Sequence, residues 1–169
     1  EHLRDDVLPT CFSIVMPEAA TFHQKTFRER GHEYGADVRE LLETGELCLA
    51  TTYIAAQRNR SAIKASLEAA LAKVDVLLTP TLPVTAARVG QQTYRWKSRE
   101  EPVFAACARF LAPFNLAGLP AISIPCGFSE DGMPIGLQLA GKPFAEATVL
   151  NAANAFEKAT KWHLMHPKL

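Results

Sequence analysis

The chain has 169 residues, which corresponds to one domain or a large part of one. Its hydrophobic fraction of 48% and charged fraction of 21% exclude an intrinsically disordered chain, because such chains lack the apolar surface that offsets the entropy of ordering. The 18 basic and 18 acidic residues cancel, which argues against a nucleic-acid partner, and no apolar run approaches the roughly 18 residues of a membrane-spanning helix, so no membrane contact is expected.

The first part of the chain is predicted to be mostly helical. Residues 7–16 are apolar and include β-branched side chains, which predicts one short strand. A helix over 17–30 follows, since a proline and a glutamate suit its first turn. A short helix over 36–43 is expected to end at Gly45. A long helix is expected over about 46–74, where apolar residues recur at helical spacing.

The second part is predicted to be α/β. The apolar strand over 75–79 directly follows a helix, which is typical of an α/β sheet covered on both faces. After it we expect a polar loop over 84–100, a buried helix over 102–112 and a turn-rich passage over 114–120. Two strands over 121–128 and 133–140 are joined by an Asp-Gly turn at 129–132 as an antiparallel hairpin. An amphipathic helix over 145–160 follows.

No metal site and no disulfide framework is expected. The four cysteines are widely spaced, which favours reduced thiols packed as small hydrophobes and hence a reducing compartment, the cytoplasm. His163 and His166 could chelate a metal on a helix, but they lie just before Pro167, where a helix would end. The cysteines are Cys11, Cys48, Cys107 and Cys126.

No complete catalytic constellation is visible, and no catalytic residue is assigned. Ser61 and Lys64 fit the S-x-x-K pattern of serine acyl-enzymes, but the S-D-N and K-T-G elements are missing, so a solvated helix face is the preferred interpretation. Ser123 lies in mid-strand, where a hydroxyl usually has a structural role. Arg58 and Arg60 could bind a carboxylate if they point into a cleft, and a charged helix face is the other interpretation.

Three stretches resemble landmarks of the amidase signature family. They are VLLTPTLP over 76–83, FNLAGLPAISIPCGF over 114–128 and DGMPIGLQLAGKPF over 131–144. Their order and spacing match the C-terminal third of these enzymes, and the resemblance extends over about 40–162. It implies an α/β fold in which this chain forms part of a mixed β-sheet flanked by helices. Residues 1–169 would then be the C-terminal segment of an amidase signature domain, cut from a longer chain, as a start without Met or signal peptide also indicates.

The resemblance implies hydrolysis of carboxylic amides without a metal or organic cofactor. In the family a serine attacks the amide carbonyl, and a second serine, reached through a cis peptide bond, relays protons to and from a lysine. Backbone N–H groups of a loop rich in glycine and serine hold the oxyanion. These elements belong to the N-terminal portion of family members, and no Gly-Gly-Ser-Ser-type motif occurs here. The expected partners are therefore that portion and a small amide substrate, and this chain alone is expected to be inactive.

Five residues are implied as substrate-binding. Thr79 and Thr81 follow the end of a strand, where loops of open α/β sheets line ligand sites. Phe114 and Asn115 are expected nearby by resemblance. Arg60 stands in an Ala-Gln-x-x-Arg context like that of an arginine which binds the amino-acid carboxylate in glutamyl-tRNA amidotransferases, on their A subunit.

One departure from the family pattern bears on the substrate class, and two alternatives stay open. The amidotransferase has an aspartate before its Pro-x-Asn-Leu-Ala-Gly run, to hold the α-amino group, and the corresponding position here is Ala108. This favours a general amidase over a glutamine-type substrate. One alternative is the A subunit of a tRNA-dependent amidotransferase. The other, from a different class, is a non-catalytic binding or assembly module with the same fold. Exposed strand edges would favour a homo-oligomer.

Overall fold

The computed structural model describes residues 5–96 and 99–166 and divides into two compact units, with the division along the chain between residues 63 and 64. We call residues 5–63 the helical unit and the described residues from 64 onward the sheet unit. In chain order the elements are α1 (Val7–Arg30), α2 (Ala36–Glu46), α3 (Ala50–Leu71), β1 (Val76–Pro80), β2 (Thr93–Trp96), β3 (Arg99–Pro102), α4 (Val103–Ala108), α5 (Ala112–Ala117), β4 (Ala121–Phe128), β5 (Pro134–Gly141) and α6 (Glu146–Ala159). The predicted α/β class is confirmed.

The strand predicted over 7–16 is wrong, because these residues form the first turns of α1. The buried side chains Val7, Thr10 and Ile14 recur at steps of three and four, which is the period of a helix face and not the alternation of a strand. Pro17, expected to open a helix, lies inside α1 instead. The β-branched composition was therefore a weaker signal than the spacing of the apolar residues.

Gly45 was predicted to end α2, but it lies within this helix. A Cβ at Gly45 would overlap the backbone carbonyl of Met16 and would lie 3.0 Å from the Cβ of Ala20. Glycine is therefore required here because α1 and α2 approach closely, and not because a left-handed helix terminus is needed.

The long helix predicted over 46–74 is confirmed as α3, which begins four residues later and ends three residues earlier. Within the helical unit, polar side chains link α3 to α1. The Tyr53 hydroxyl donates to Glu18 at 2.7 Å, and Asn59 Nδ2 donates to Thr10 Oγ1 at 2.6 Å and to Asp6 at 2.9 Å.

The sheet unit contains a three-stranded sheet in the order β1-β5-β4. The strands predicted over 75–79, 121–128 and 133–140 are confirmed, and all described pairings are antiparallel. Gly132 has a φ of 80° in the turn between β4 and β5, as the Asp-Gly pair predicts. The sheet thereby places β5 in the centre, with β1 and β4 at the described edges.

Two predictions between β1 and β4 need correction. The loop predicted over 84–100 contains β2, which pairs with β3 in a hairpin. The single helix predicted over 102–112 is broken into α4 and α5, and α5 takes up part of the expected turn-rich passage. Pro113 lies in the first turn of α5, where a residue without an N–H is tolerated, whereas in one continuous helix it could not donate to the carbonyl of Arg109. Gly118, with a φ of 68°, ends α5.

Two apolar clusters form the core of the sheet unit. One joins the end of α3 to α5 and β5 through Leu71, Phe114, Ala117, Leu119 and Ala140. The other packs α6 on the sheet through Ile124, Leu139, Val149 and Ala153, so the amphipathic helix predicted over 145–160 is confirmed. No helix in 5–96 or 99–166 combines the length and apolarity needed to cross a bilayer.

Candidate substrate-binding site

An open groove of about 510 Å³ lies in the sheet unit, where the chain leaves β1 and passes the β4–β5 pair. Uncharged side chains, mostly apolar, form its lining. The lining residues are Thr81, Leu82, Pro83, Val84, Thr85, Ala86, Ser123, Ile124, Pro125, Pro134, Ile135 and Gly136.

A pair of hydroxyl groups is the main polar feature of this groove. The Oγ1 of Thr81 and the Oγ of Ser123 are 2.6 Å apart, so one hydroxyl donates to the other. The backbone N–H of Thr81 donates to the carbonyl of Gly136 at 2.9 Å and fixes the residue beside β5. A Cβ at Gly136 would lie 2.8 Å from Thr81 Oγ1 and 3.0 Å from Ser123 Oγ. The missing side chain of Gly136 therefore makes room for the pair.

The groove provides no acid or base for either hydroxyl. Among the described lining residues none has an ionisable side chain. A serine becomes a nucleophile when an adjacent base accepts its proton, and no such base lines this groove within 5–96 and 99–166. The arrangement can bind a neutral group, but it does not activate Ser123 for attack.

The β2–β3 hairpin is hydrogen-bonded to the segment that lines the groove. The Tyr94 hydroxyl donates to the carbonyl of Thr85 at 2.8 Å, and desolvation by burial raises the pKa of Tyr94. At the end of the hairpin the buried carboxylate of Glu101 pairs with Arg109 at 2.6 Å. These contacts connect the lining segment to the hairpin and the hairpin to α4.

The five predicted substrate-binding residues occupy different environments. Thr81 lines the groove. Thr79 lies on β1, where its hydroxyl accepts a hydrogen bond of 3.1 Å from the buried Gln138. Phe114 is only 6% exposed and belongs to the core, whereas the neighbouring Asn115 is exposed on α5. Arg60 is half-buried on α3, in the helical unit.

Sequence reasoning missed Ser123 and Gly136 as groove residues. Ser123 was predicted to have a structural role, and no role was predicted for Gly136. The hydroxyls of Thr81 and Ser123 meet across 42 positions of sequence, and nothing local to either residue marks the other as a neighbour. The one available signal was the predicted β4–β5 hairpin, which places these strands side by side.

The S-x-x-K pair has the contacts of a helix surface. The Ser61 hydroxyl donates to the carbonyl of Gln57 at 3.3 Å, and Lys64 pairs with Glu68 at 3.8 Å. The four cysteines are free and half-buried, and burial raises the pKa of the Cys11 thiol. A cluster of three metal-ligating side chains does not occur in the part of the chain that the structure describes.

Comparison with known proteins identifies the family to which the chain is related. The amidase family model matches residues 5–150. The chain is 41% identical over 168 residues to an amidase of Pseudomonas putida, covering 99% of this chain and 36% of that protein. It is 40% identical over 164 residues to the glutamyl-tRNA(Gln) amidotransferase of Synechococcus elongatus, in its A subunit, covering 94% of this chain and 33% of that relative.

A solved structure agrees with these relatives. The crystal structure of an amidase superposes with a TM-score of 0.85 at 30% identity, covering 92% of this chain and 36% of the amidase. The chain therefore belongs to the amidase family, which confirms the resemblance to amidase signature enzymes. It spans about a third of the length of these relatives.

Proposed function

We propose that this chain is the C-terminal segment of an amidase that hydrolyses carboxylic amides, and that it supplies sheet strands and substrate-channel wall. The nucleophilic serine, the cis-linked serine and the lysine would come from an N-terminal portion. Water is added across the C–N bond, which yields a carboxylic acid and an amine. Membership of the amidase family supports the reaction class.

The observation that carries this proposal is a groove with hydroxyl groups but no base. Thr81 and Ser123 offer hydrogen bonds, and the remaining described lining is apolar or uncharged. Such a surface can hold and orient a neutral substrate, but it lacks the proton acceptor that acyl transfer requires. The division of labour between wall and catalytic centre follows from this chemistry.

The remaining predicted residues have supporting roles in this proposal. Thr79, whose hydroxyl accepts from Gln138, would hold the end of β1 in place, and Phe114, packed in the core, would hold α5 in place. The exposed amide of Asn115 offers a donor and an acceptor to the substrate or to the N-terminal portion. The guanidinium of Arg60 would face an anionic or carbonyl group. The free thiols are consistent with a cytoplasmic location.

The test compares this chain with a longer polypeptide that contains the N-terminal portion. Both are incubated with a panel of neutral aliphatic and aryl amides, and ammonia or amine release is measured. We expect turnover only from the longer polypeptide, with Ser61→Ala and Ser123→Ala variants that retain it. Turnover by this chain alone, abolished by either substitution, would contradict the proposal. A folded longer polypeptide without any turnover would favour the non-catalytic module.

The second candidate is the A subunit of a tRNA-dependent amidotransferase. The 40% identity to such a protein over 94% of this chain and the Ala-Gln-x-x-Arg context of Arg60 favour it. Ala108, where the aspartate is expected, argues against a glutamine substrate. Glutamine-dependent ammonia release that requires co-purifying subunits would establish this candidate, and activity on simple amides without such subunits would establish the first.

A further inference from the structure

We propose that the hydroxyl pair of Thr81 and Ser123 determines substrate specificity, by binding one neutral hydrogen-bonding atom on the non-reacting part of an otherwise apolar amide. This inference deepens the proposed function and rests on it for the identity of the ligand. It assigns a role to Ser123 that is neither nucleophilic nor merely structural.

The count of hydrogen bonds shows what the pair can offer. Two hydroxyls carry two protons, and the 2.6 Å contact between them uses one. In the described ranges, neither side-chain hydroxyl has another hydrogen-bond partner. One proton and several lone pairs are therefore available toward the groove, so a ligand ether, carbonyl or hydroxyl oxygen could bind.

The pair is held in place before any ligand arrives. The N–H of Thr81 is bonded to the carbonyl of Gly136, and Ser123 is held opposite Gln138 by the β4–β5 pairing. The absent Cβ of Gly136 leaves the space that both oxygens occupy. Because the backbones are fixed and the 2.6 Å contact already orders the two hydroxyls, binding costs little side-chain ordering, which favours discrimination between similar ligands.

The walls restrict the class of ligand further. Pro83, Pro125 and Pro134 contribute no backbone N–H, and Leu82 and Ile135 are apolar. A carboxylate or ammonium in this groove would lose hydration without meeting an opposite charge among the described lining residues. The groove therefore suits a neutral group with an apolar body and one polar atom.

The experiment uses the longer polypeptide and matched neutral amides that differ at one atom remote from the scissile bond. Methoxy and ethyl substituents have similar size, and only the methoxy group accepts a hydrogen bond. They are placed on the acyl side in one pair and on the amine side in another. We expect wild type to prefer one methoxy substrate about three- to tenfold in kcat/KM, the effect of one net hydrogen bond.

The double variant Thr81→Val/Ser123→Ala should abolish this preference, because KM for the methoxy substrate rises relative to KM for the ethyl substrate. Thr85→Val is the matched control, because Thr85 also lines the groove but lies outside the pair, and it should keep the preference. Gly136→Ala, which crowds both hydroxyls, should reduce it. Thermal unfolding followed by circular dichroism shows whether each variant is folded.

Two outcomes overturn the inference while leaving amide hydrolysis intact. One is a preference that survives in the double variant, and the other is an equal loss in Thr85→Val. Calorimetric binding of the same methoxy and ethyl amides is measured in parallel. If the longer polypeptide hydrolyses no amide, the proposed function fails, and the binding preference alone decides whether the pair recognises the polar atom.

Discussion

The helical unit and the sheet unit differ in the contacts that join the elements within each unit. In the sheet unit, apolar side chains from helices and strands meet in contiguous clusters, and Leu71 is only 1% exposed. In the helical unit, large apolar side chains such as Phe22 and Leu47 are 84% and 82% exposed. There α1 and α2 meet through the close approach at Gly45, and α3 is linked to α1 by polar side chains. Both units bury apolar side chains, since Ile14 and Leu42 of the helical unit are only 6% and 3% exposed, and the helical unit adds a close backbone approach and hydrogen bonds between its helices.

The largest expected effect tests burial in the sheet unit. Leu71→Ala should lower the free energy of unfolding by about 2–5 kcal/mol, since it removes a buried side chain and leaves a cavity in the core cluster. Leu150→Ala is the matched control, because Leu150 is also helical but exposed, and it should cost less than about 0.5 kcal/mol. Urea denaturation measures both. Equal losses of unfolding free energy in the two variants would show that the burial of Leu71 does not stabilise the sheet unit.

The next effect tests the close approach in the helical unit. Gly45→Ala should cost about 1–3 kcal/mol, because the added Cβ would overlap the Met16 carbonyl and force α1 and α2 apart. In Gly31→Ala the new Cβ would meet only the Phe27 ring, at 3.6 Å, so this control should be nearly neutral. Thermal and urea unfolding monitor both variants. A neutral Gly45→Ala would show that the close approach of α1 and α2 does not require a glycine at this position.

A smaller effect tests a side-chain hydrogen bond in the sheet unit. Tyr94→Phe should cost about 0.5–1.5 kcal/mol, since it removes the hydrogen bond to the Thr85 carbonyl. Burial raises the pKa of Tyr94 above its ordinary value of 10.0, so this contribution is complete below pH 10 and is lost as the pH rises through the raised pKa. We therefore expect the variant to lose less stability than wild type above pH 10 in urea unfolding. Parallel curves for the two proteins would contradict this role of Tyr94.

The smallest effect concerns an exposed carboxylate on the same hairpin. The Thr93 hydroxyl, 2.6 Å from Glu100, lowers the pKa of that carboxyl below its ordinary value of 4.5, with a second contribution from Arg95. Its stabilisation is present above pH 4.5 and is lost as the pH falls through the lowered pKa. Thr93→Val should raise the Glu100 pKa toward 4.5 in an NMR titration. The Arg95 contact remains as an internal reference, and an unchanged pKa would show that the hydroxyl has no effect.

Local patterns predicted the elements whose signals are local. The β4–β5 hairpin followed from alternation and an Asp-Gly turn, and α6 followed from apolar spacing. The first turns of α1 were misassigned because β-branched composition was given more weight than the spacing of Val7, Thr10 and Ile14. The break between α4 and α5 was missed although Pro113 marks it. In both places the better signal was present in the sequence.

The groove was less predictable than the fold. Thr81 was expected there because it follows a strand end, but Ser123 and Gly136 were not. Phe114 and Asn115 are sequence neighbours, yet one is in the core and the other is exposed, because consecutive helical residues point in different directions. Their assignment to substrate binding, like those of Arg60 and Thr79, stays a prediction.

The amino-acid sequence by itself determined the family, the strands β1, β4 and β5, the helix α6, and the lack of a Gly-Gly-Ser-Ser-type motif in this chain. Only the tertiary structure decided that the hydroxyls of Thr81 and Ser123 meet above Gly136 in an uncharged groove. The reason is physical. Helix and strand periods depend on residues a few positions apart, whereas this contact depends on strand pairing between distant segments.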